Sequence, residues 1–333
     1  MIRRIALLCL AVALPAVGQT TLNGAGATFP YPMYSKWFSE YHKIHPDIEI
    51  NYQSIGSGGG IRQVLAQTVD FGASDGPMSD EQLSQAKVKI LHIPTVLGAV
   101  VPAYNVPGVS GDLRFSPQVI ADICLGKITS WNDAAIVKDN PDAKLPNQNI
   151  VVVHRSDGSG TNYIFTDYLS KVSSDWAGGP GKGTSVKWPV GLGAKGNEGV
   201  AGMIRQMDGA FGYVELIYAV QNHIPYGIIK NAAGSWVKAS LDGATAAAAS
   251  VKNMPADFRV SITNAPGKDS YPISSFTWLL IPVQSKDASR GKIMTDFLTW
   301  MLDTGEGMTK ELAYAPLPNE VSTKVRDAIK QVH

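Results

Sequence analysis

The hydrophobic positions switch between two periods along the chain. Tyr34, Trp37, Phe38, Tyr41 and Ile44 recur at helical spacing. Ile48, Ile50 and Tyr52 alternate as in a strand, and Ile61, Val64 and Leu65 return to helical spacing. Residues 70–73 then read as a short strand, a polar helix is expected from Ser79, and two further strands are expected at 90–94 and 96–104. A second series opens at Ser116, expected to cap a helix with Pro117 at its first position and Val119, Ile120, Ile123 and Cys124 on one face. Residues 150–153 read as a buried strand, followed by a helix carrying Ile164, Phe165, Tyr168 and Leu169. A glycine-rich, exposed stretch is expected at 176–183, a hairpin at 231–240 and a short Ala-rich helix at 244–249. Ile293, Phe297, Trp300 and Met301 share a helical face, as do Val321, Val325 and Ile329. Strands alternating with helices argue for an α/β fold built from parallel βαβ units. No internal repeat is visible.

Composition narrows this picture. The chain has 333 residues, 44% hydrophobic and 17% charged, which argues against disorder. Its length calls for two domains or one large α/β unit. Lys and Arg number 29 against 28 Asp and Glu, a balance that disfavours a nucleic-acid partner but leaves room for a small anion. Arg3 and Arg4 precede an apolar run at 5–17 that is too short to cross a bilayer. Small residues follow at Ala16 and Gly18, so residues 1–18 are expected to be a secretory signal peptide cleaved near Gly18. Cys9 lies inside the apolar run, so no lipid anchor is expected. Loss of this leader turns the net charge from +1 to −1 and leaves Cys124 as the one cysteine, expected in the core. A packed core, not a disulfide, must then hold the exported chain together.

Four segments share one grammar, in which a short apolar strand leads into a Gly/Ser/Thr/Asp loop and then a helix start. They begin at Gly24 (GAGATFP), Gly56 (GSGGG), Gly72 (GASDGP) and Arg155 (RSDGSGT). Unpaired N–H groups and the positive end of the helix dipole make such a loop a cradle for an oxyanion, and hydroxyls add donors. Taken singly, each loop reads as an ordinary helix cap or turn; four in one chain, one of them with an arginine, point to a converged anion site. The stretch from Gly191 to Gly196 matches G-x-G-x-x-G with Glu215 beyond it, but Trp188 and Pro189 stand where a dinucleotide fold needs a strand. His42 and His45 lack a third ligand nearby and are expected to be solvated or capping; His154 is expected on the opposite strand face from Arg155. No Cys/His pair or nucleophile elbow supports catalysis. No metal site or cofactor is expected.

The segments GAGATFPYPMYSKW, GSGGGIRQ, VDFGASDGPMSD, RSDGSGTNYIFTDYL, VKWPVGLGAKGNEG, GAFGYVE and YAPLP together make the chain resemble the periplasmic phosphate-binding proteins of high-affinity phosphate ABC transporters (the Pst type). The resemblance implies a type II-like periplasmic binding protein fold, two α/β lobes joined by two hinge strands. Residues 19–95 and 275–333 would form lobe I and 96–274 lobe II, with hinges near 95–97 and 273–276. It implies that phosphate is held by Thr28, Phe29 (through its backbone N–H), Ser57, Asp75, Arg155, Ser159, Gly160 and Thr161, with Asp157 pairing with Arg155. Asp75 would accept a hydrogen bond from protonated phosphate. Departures from the family pattern at Ser156, Gly76 and His154 touch no ligand position. The implied partners are inorganic phosphate and the permease and ATPase subunits of an importer. The implied protein is a non-enzymatic periplasmic monomer with no nucleic-acid partner. Another oxyanion (sulfate, molybdate or tungstate) remains the nearest alternative, and a phosphate-releasing hydrolase or a surface role the more remote ones.

Overall fold

The computed structural model describes residues 19–333, so the expected leader lies outside the described residues. The strands are β1 (Thr20–Gly26), β2 (Ile48–Ser54), β3 (Phe71–Ser74), β4 (Ile90–Asn105), β5 (Arg114–Phe115), β6 (Val151–Arg155), β7 (Leu192–Ala194), β8 (Ala210–Glu215), β9 (Ile228–Lys230), β10 (Trp236–Val237) and β11 (Ser274–Pro282). Eight of them make one mixed sheet in the order β2-β1-β3-β11-β4-β8-β6-β7, and β10-β9-β5 make a small second sheet. β1, β2 and β3 run parallel at one side, and β6, β7 and β8 run parallel at the other. β4 and β11 run antiparallel between them. The expected βαβ units are therefore present twice, once in each lobe.

The two strands expected at 90–94 and 96–104 are one. β4 is continuous for 16 residues and changes partner along its length. Its first part pairs with β11 up to Ala99, and from Val100 it pairs with β8. Pro94 is tolerated inside this central strand because the ladder slips there: Trp278 pairs with Pro94 and Thr277 with Val96, leaving Thr95 as the extra residue of a bulge. Pairing thus changes hands at Ala99–Val100, a little beyond the 95–97 region that the resemblance implies.

Each lobe is held by an aromatic cluster. The helix Tyr31–Ile44 buries Tyr34, Trp37, Phe38 and Tyr41; Tyr34 meets Tyr52 edge-on at 5.6 Å and Phe38 lies 5.3 Å from Phe297. Ile44, last of the expected stripe, is exposed. On the other side Phe165 stacks on Tyr213 at 4.2 Å, and Trp188 stacks on both Tyr213 and His154. Cys124 is buried, and burial pushes its thiol far above the usual range, consistent with a packing role. The hairpin expected at 231–240 lies a few residues earlier, as β9–β10 with its turn between Lys230 and Trp236, and the Ala-rich helix is present as Leu241–Ala249.

Three expectations need correction. Trp176 is fully buried, not part of an exposed stretch, because a short helix, Ser174–Gly178, turns its indole inward to donate to the Gly181 carbonyl at 2.8 Å. The Ser116 hydroxyl makes no capping bond, although Pro117 does open the helix Pro117–Cys124. His42 is half-buried, with Nδ1 2.6 Å from the Ile48 carbonyl, so it joins helix to strand. Among the described residues no helix is long and apolar enough to cross a membrane.

Candidate functional site

All four glycine-bearing loops follow the C-terminal ends of parallel strands, the place where open α/β sheets gather ligands. Thr28 and Phe29 follow β1, Ser57 follows β2, Asp75 follows β3, and the segment from Arg155 to Thr161 follows β6. Thr28, Phe29, Ser57, Asp75, Arg155, Ser159, Gly160 and Thr161 are all buried.

Two glycines let the loops meet. Gly56 has φ +86, and a Cβ there would lie 2.4 Å from Asp157 Oδ2 and 2.6 Å from the Gly158 carbonyl. A Cβ on Gly160 would lie 2.4 Å from both Asp75 Oδ2 and Ser57 Oγ. The Gly58 N–H donates across the cleft to the Gly158 carbonyl at 2.8 Å. These contacts join loops of opposite lobes, so the cleft is closed in this structure.

The lobe I side supplies hydroxyls, amides and one acid. Ser57 opens the helix Ser57–Leu65, and its Oγ accepts the Asp75 N–H at 3.2 Å. Asp75 Oδ1 accepts the Thr277 hydroxyl at 2.8 Å. Burial pushes the Asp75 carboxyl up to about 7, against the opposing pull of the Thr277 hydroxyl, the Arg155 charge and Ser57. Asp75 does not cap the next helix, because Ser79 does so itself in a reciprocal box with Gln82. Tyr218 donates to the Thr28 carbonyl at 2.6 Å and Tyr314 to the Phe29 carbonyl at 2.5 Å. The Thr28–Phe29 peptide is trans, so the Phe29 N–H points away from Tyr218.

The lobe II side supplies the cation and a helix start. Arg155 donates from Nε to Asp157 Oδ1 at 2.7 Å and from Nη2 to Oδ2 at 2.5 Å. One edge of the guanidinium fork is thereby taken, and Nη1 is turned toward Thr161 Oγ1 at 3.4 Å. Burial raises the Asp157 carboxyl, but the hydrogen bond and charge of Arg155 outweigh it and hold the group below the usual range. Ser159 caps the helix Gly160–Val172 by accepting the Asn162 N–H at 3.0 Å, so the capping reading of this loop holds, and its hydroxyl hydrogen is left for another acceptor. His154 faces Trp188, away from the cleft side of Arg155.

One segment reached the site unannounced. The glycine run at 191–196 forms β7 and then the helix Gly196–Gln206, whose start faces the cleft. The Gly196 N–H donates to Asp157 Oδ1 at 3.1 Å, and Asn197 bonds to both Thr28 and Thr161. The run lies in the segment VKWPVGLGAKGNEG that shares in the family resemblance, but its residues are not among the implied ligands; the strand-loop-helix grammar of the other four loops extends to it. Tyr218 and Tyr314 had no local signal of their own. Among the described residues no cluster of three or more His, Cys, Asp or Glu side chains could hold a metal ion.

Comparison with known proteins places the chain in a family and a fold. The model of the PBP superfamily domain matches residues 11–304. The phosphate-binding protein PstS of Xylella fastidiosa (strain Temecula1) is 47% identical over 309 residues, covering 91% of this chain and 84% of that protein. The phosphate-binding protein PstS of Haemophilus influenzae is 44% identical over 319 residues, covering 95% of both chains. A solved structure of a high affinity periplasmic phosphate-binding protein (PfluDING) bound with phosphate has a TM-score of 0.74 at 21% identity, covering 92% of this chain and 93% of that one, and speaks for the fold. The chain belongs to the PBP superfamily and, within it, to the family of the phosphate-binding proteins PstS.

Proposed function

We propose that the chain captures inorganic phosphate between its two lobes in the periplasm and delivers it to the permease and ATPase subunits of an ABC-type phosphate importer. The observation that carries this reading is the company Asp75 keeps. Ser57 accepts its N–H, Thr277 donates to its Oδ1, Gly160 lies against its Oδ2 and the Arg155 charge reaches it. In this reading the hydroxyls of Thr28, Ser57, Ser159 and Thr161, the amides of Phe29, Gly160 and Thr161, and the free edge of Arg155 donate to the same anion. Asp157 is paired with Arg155, whereas Asp75 has no ion-pair partner among the described residues, and such a carboxyl suits an anion that still carries a proton of its own. Phosphate does near neutral pH, whereas sulfate does not. With Asp75 poised near 7, one proton can be shared between the acid and a phosphate oxygen from either side.

In this reading Asp157 orients Arg155, and lobe I comprises residues 19–99 and 274–333 with lobe II between them. The hinge lies where β4 exchanges β11 for β8. A ligand touched by both lobes only when they are shut favours the closed form, and the closed form is what the membrane subunits would recognise. No bond in phosphate need be made or broken, so the protein is a carrier and not an enzyme. Calorimetric titration of purified protein with phosphate, sulfate and molybdate tests this directly. One phosphate per chain, with far weaker sulfate and molybdate, is expected; sulfate or molybdate binding as tightly as phosphate would overturn it.

A further inference from the structure

Asn197 is fully buried, the second residue of the helix Gly196–Gln206, and stands between two of the proposed ligands. Its Nδ2 donates to Thr28 Oγ1 at 2.8 Å and to Thr161 Oγ1 at 3.0 Å. Its backbone N–H adds a longer bond to Thr28 Oγ1 at 3.3 Å. Its Oδ1 accepts the Glu215 N–H at 2.9 Å. This last bond decides which end of the amide is which. A backbone N–H demands an acceptor, so the oxygen faces Glu215 and both amide hydrogens face the threonines.

A hydroxyl that accepts from one side must send its own hydrogen elsewhere. Among the described residues neither threonine hydroxyl donates to another group; both only accept, from Asn197 and, for Thr161, from Arg155. We propose that Asn197 is a positioning residue that turns Thr28 and Thr161 into one-way donors aimed at a bound oxyanion. Thr28 follows β1 in lobe I, whereas Asn197 follows β7 in lobe II. Their bond therefore bridges the lobes, and the orientation of Thr28 is completed only in the closed cleft. An aspartate of the same shape would do the reverse, drawing both hydroxyl hydrogens onto itself and presenting lone pairs to the anion. The proposal rests on the phosphate reading and adds to it how the donors are aimed as the cleft closes on the ligand.

The test is a cycle of phosphate titrations with Asn197→Ala and Asn197→Asp, each made in the native background and in a Thr28→Val, Thr161→Val background. In the native background alanine is expected to weaken phosphate about tenfold or more, and aspartate further. In the valine background the hydroxyls to be oriented are gone, so alanine should change affinity less than about threefold. Aspartate keeps the volume and can still hold the Glu215 N–H, so it serves if the alanine variant does not fold. Its charge repulsion persists in the valine background, and only the lost orientation disappears there. A merely structural role for Asn197 gives the same factor in both backgrounds and overturns the proposal, as does native-like affinity in both variants. Loss of phosphate binding by the unmutated protein would instead remove the phosphate reading itself, and this proposal with it.

Discussion

The two lobes present the same architecture to the cleft but opposite chemistry. Both place loops after parallel strands, and both start a helix at the site. Lobe I, however, contributes Asp75, a buried acid raised to about 7 by burial, while lobe II contributes Arg155, a buried cation held by Asp157. In the proposed reading the attraction for a negative ligand sits on one side, and the group that asks whether the ligand carries a proton sits on the other. That reading separates affinity and selectivity in space, so it predicts that they can be broken separately.

The largest effect expected is on selectivity, and it belongs to lobe I. A site built around a ligand hydrogen bond can reject the analogue lacking it by ~10⁴, so sulfate is expected to compete at least ~10³-fold less well than phosphate. Asp75→Asn should narrow that gap, because the amide removes the charge and can offer N–H to sulfate. With the native carboxyl the gap should also shrink as pH falls below about 7, since protonated Asp75 can donate to sulfate. Competition titrations at several pH values measure both. A native protein that took sulfate within tenfold of phosphate at pH 8 would break the comparison at its lobe I end.

Arg155→Ala tests the other end. Losing a charge-assisted partner should weaken phosphate by about 2 kcal/mol or more, roughly thirtyfold. The loss should fall on phosphate and sulfate alike, since the guanidinium does not ask for a proton. Titration of both anions checks this; a variant within threefold of the native protein would exclude Arg155 as a ligand. Closure gives a smaller signal. Small-angle scattering should show a lower radius of gyration with phosphate than without, because the Gly58–Gly158 bond and the approach of Gly160 to Asp75 join the lobes only when shut. Identical profiles would mean a rigid cleft.

Much of this was legible along the chain because it is local. The helix Tyr31–Ile44 follows from five apolar positions at one spacing, and the four loops follow from Gly, Ser, Thr and Asp placed before helix starts. What was not legible is non-local. Nothing in the 90–105 stretch shows that the ladder slips at Thr95, since the slip is defined by Thr277 and Trp278 nearly two hundred residues on. Trp176 looked exposed because its neighbours are glycines, and it is buried because those glycines let the chain fold back over it. Asn197 escaped because a lone amide has no pattern; its meaning comes from Thr28 and Thr161 meeting there.

The smallest effect expected is on stability against pH, and it distinguishes Asp75 from Asp167, a buried acid of the other lobe. In lobe I burial raises Asp75 to about 7, and it raises Glu306 to about 7 as well. A carboxyl with a raised folded-state value takes up a proton on folding. Its contribution is fully present below the unfolded value of 3.8 for Asp75 and is lost as pH rises through about 7. In lobe II, Asp167 is the opposite case. Burial raises it, but the Ser261 and Thr263 hydroxyls, Lys182 and Lys171 outweigh this and hold it at about 2. Its contribution is present above 3.8 and is lost as pH falls toward 2. Thermal melts in phosphate-free buffer should therefore show two variants moving in opposite directions. Asp75→Asn should gain stability relative to the native protein as pH rises from 4 to 8, since it removes a carboxyl that resists ionising. Asp167→Asn should be destabilised at neutral pH, with the deficit shrinking below pH 4. Glu306 is untouched in both and cancels in each comparison. Parallel offsets at every pH would show that neither acid has the environment the structure gives it, and the division of roles between the lobes would then rest on Arg155 alone.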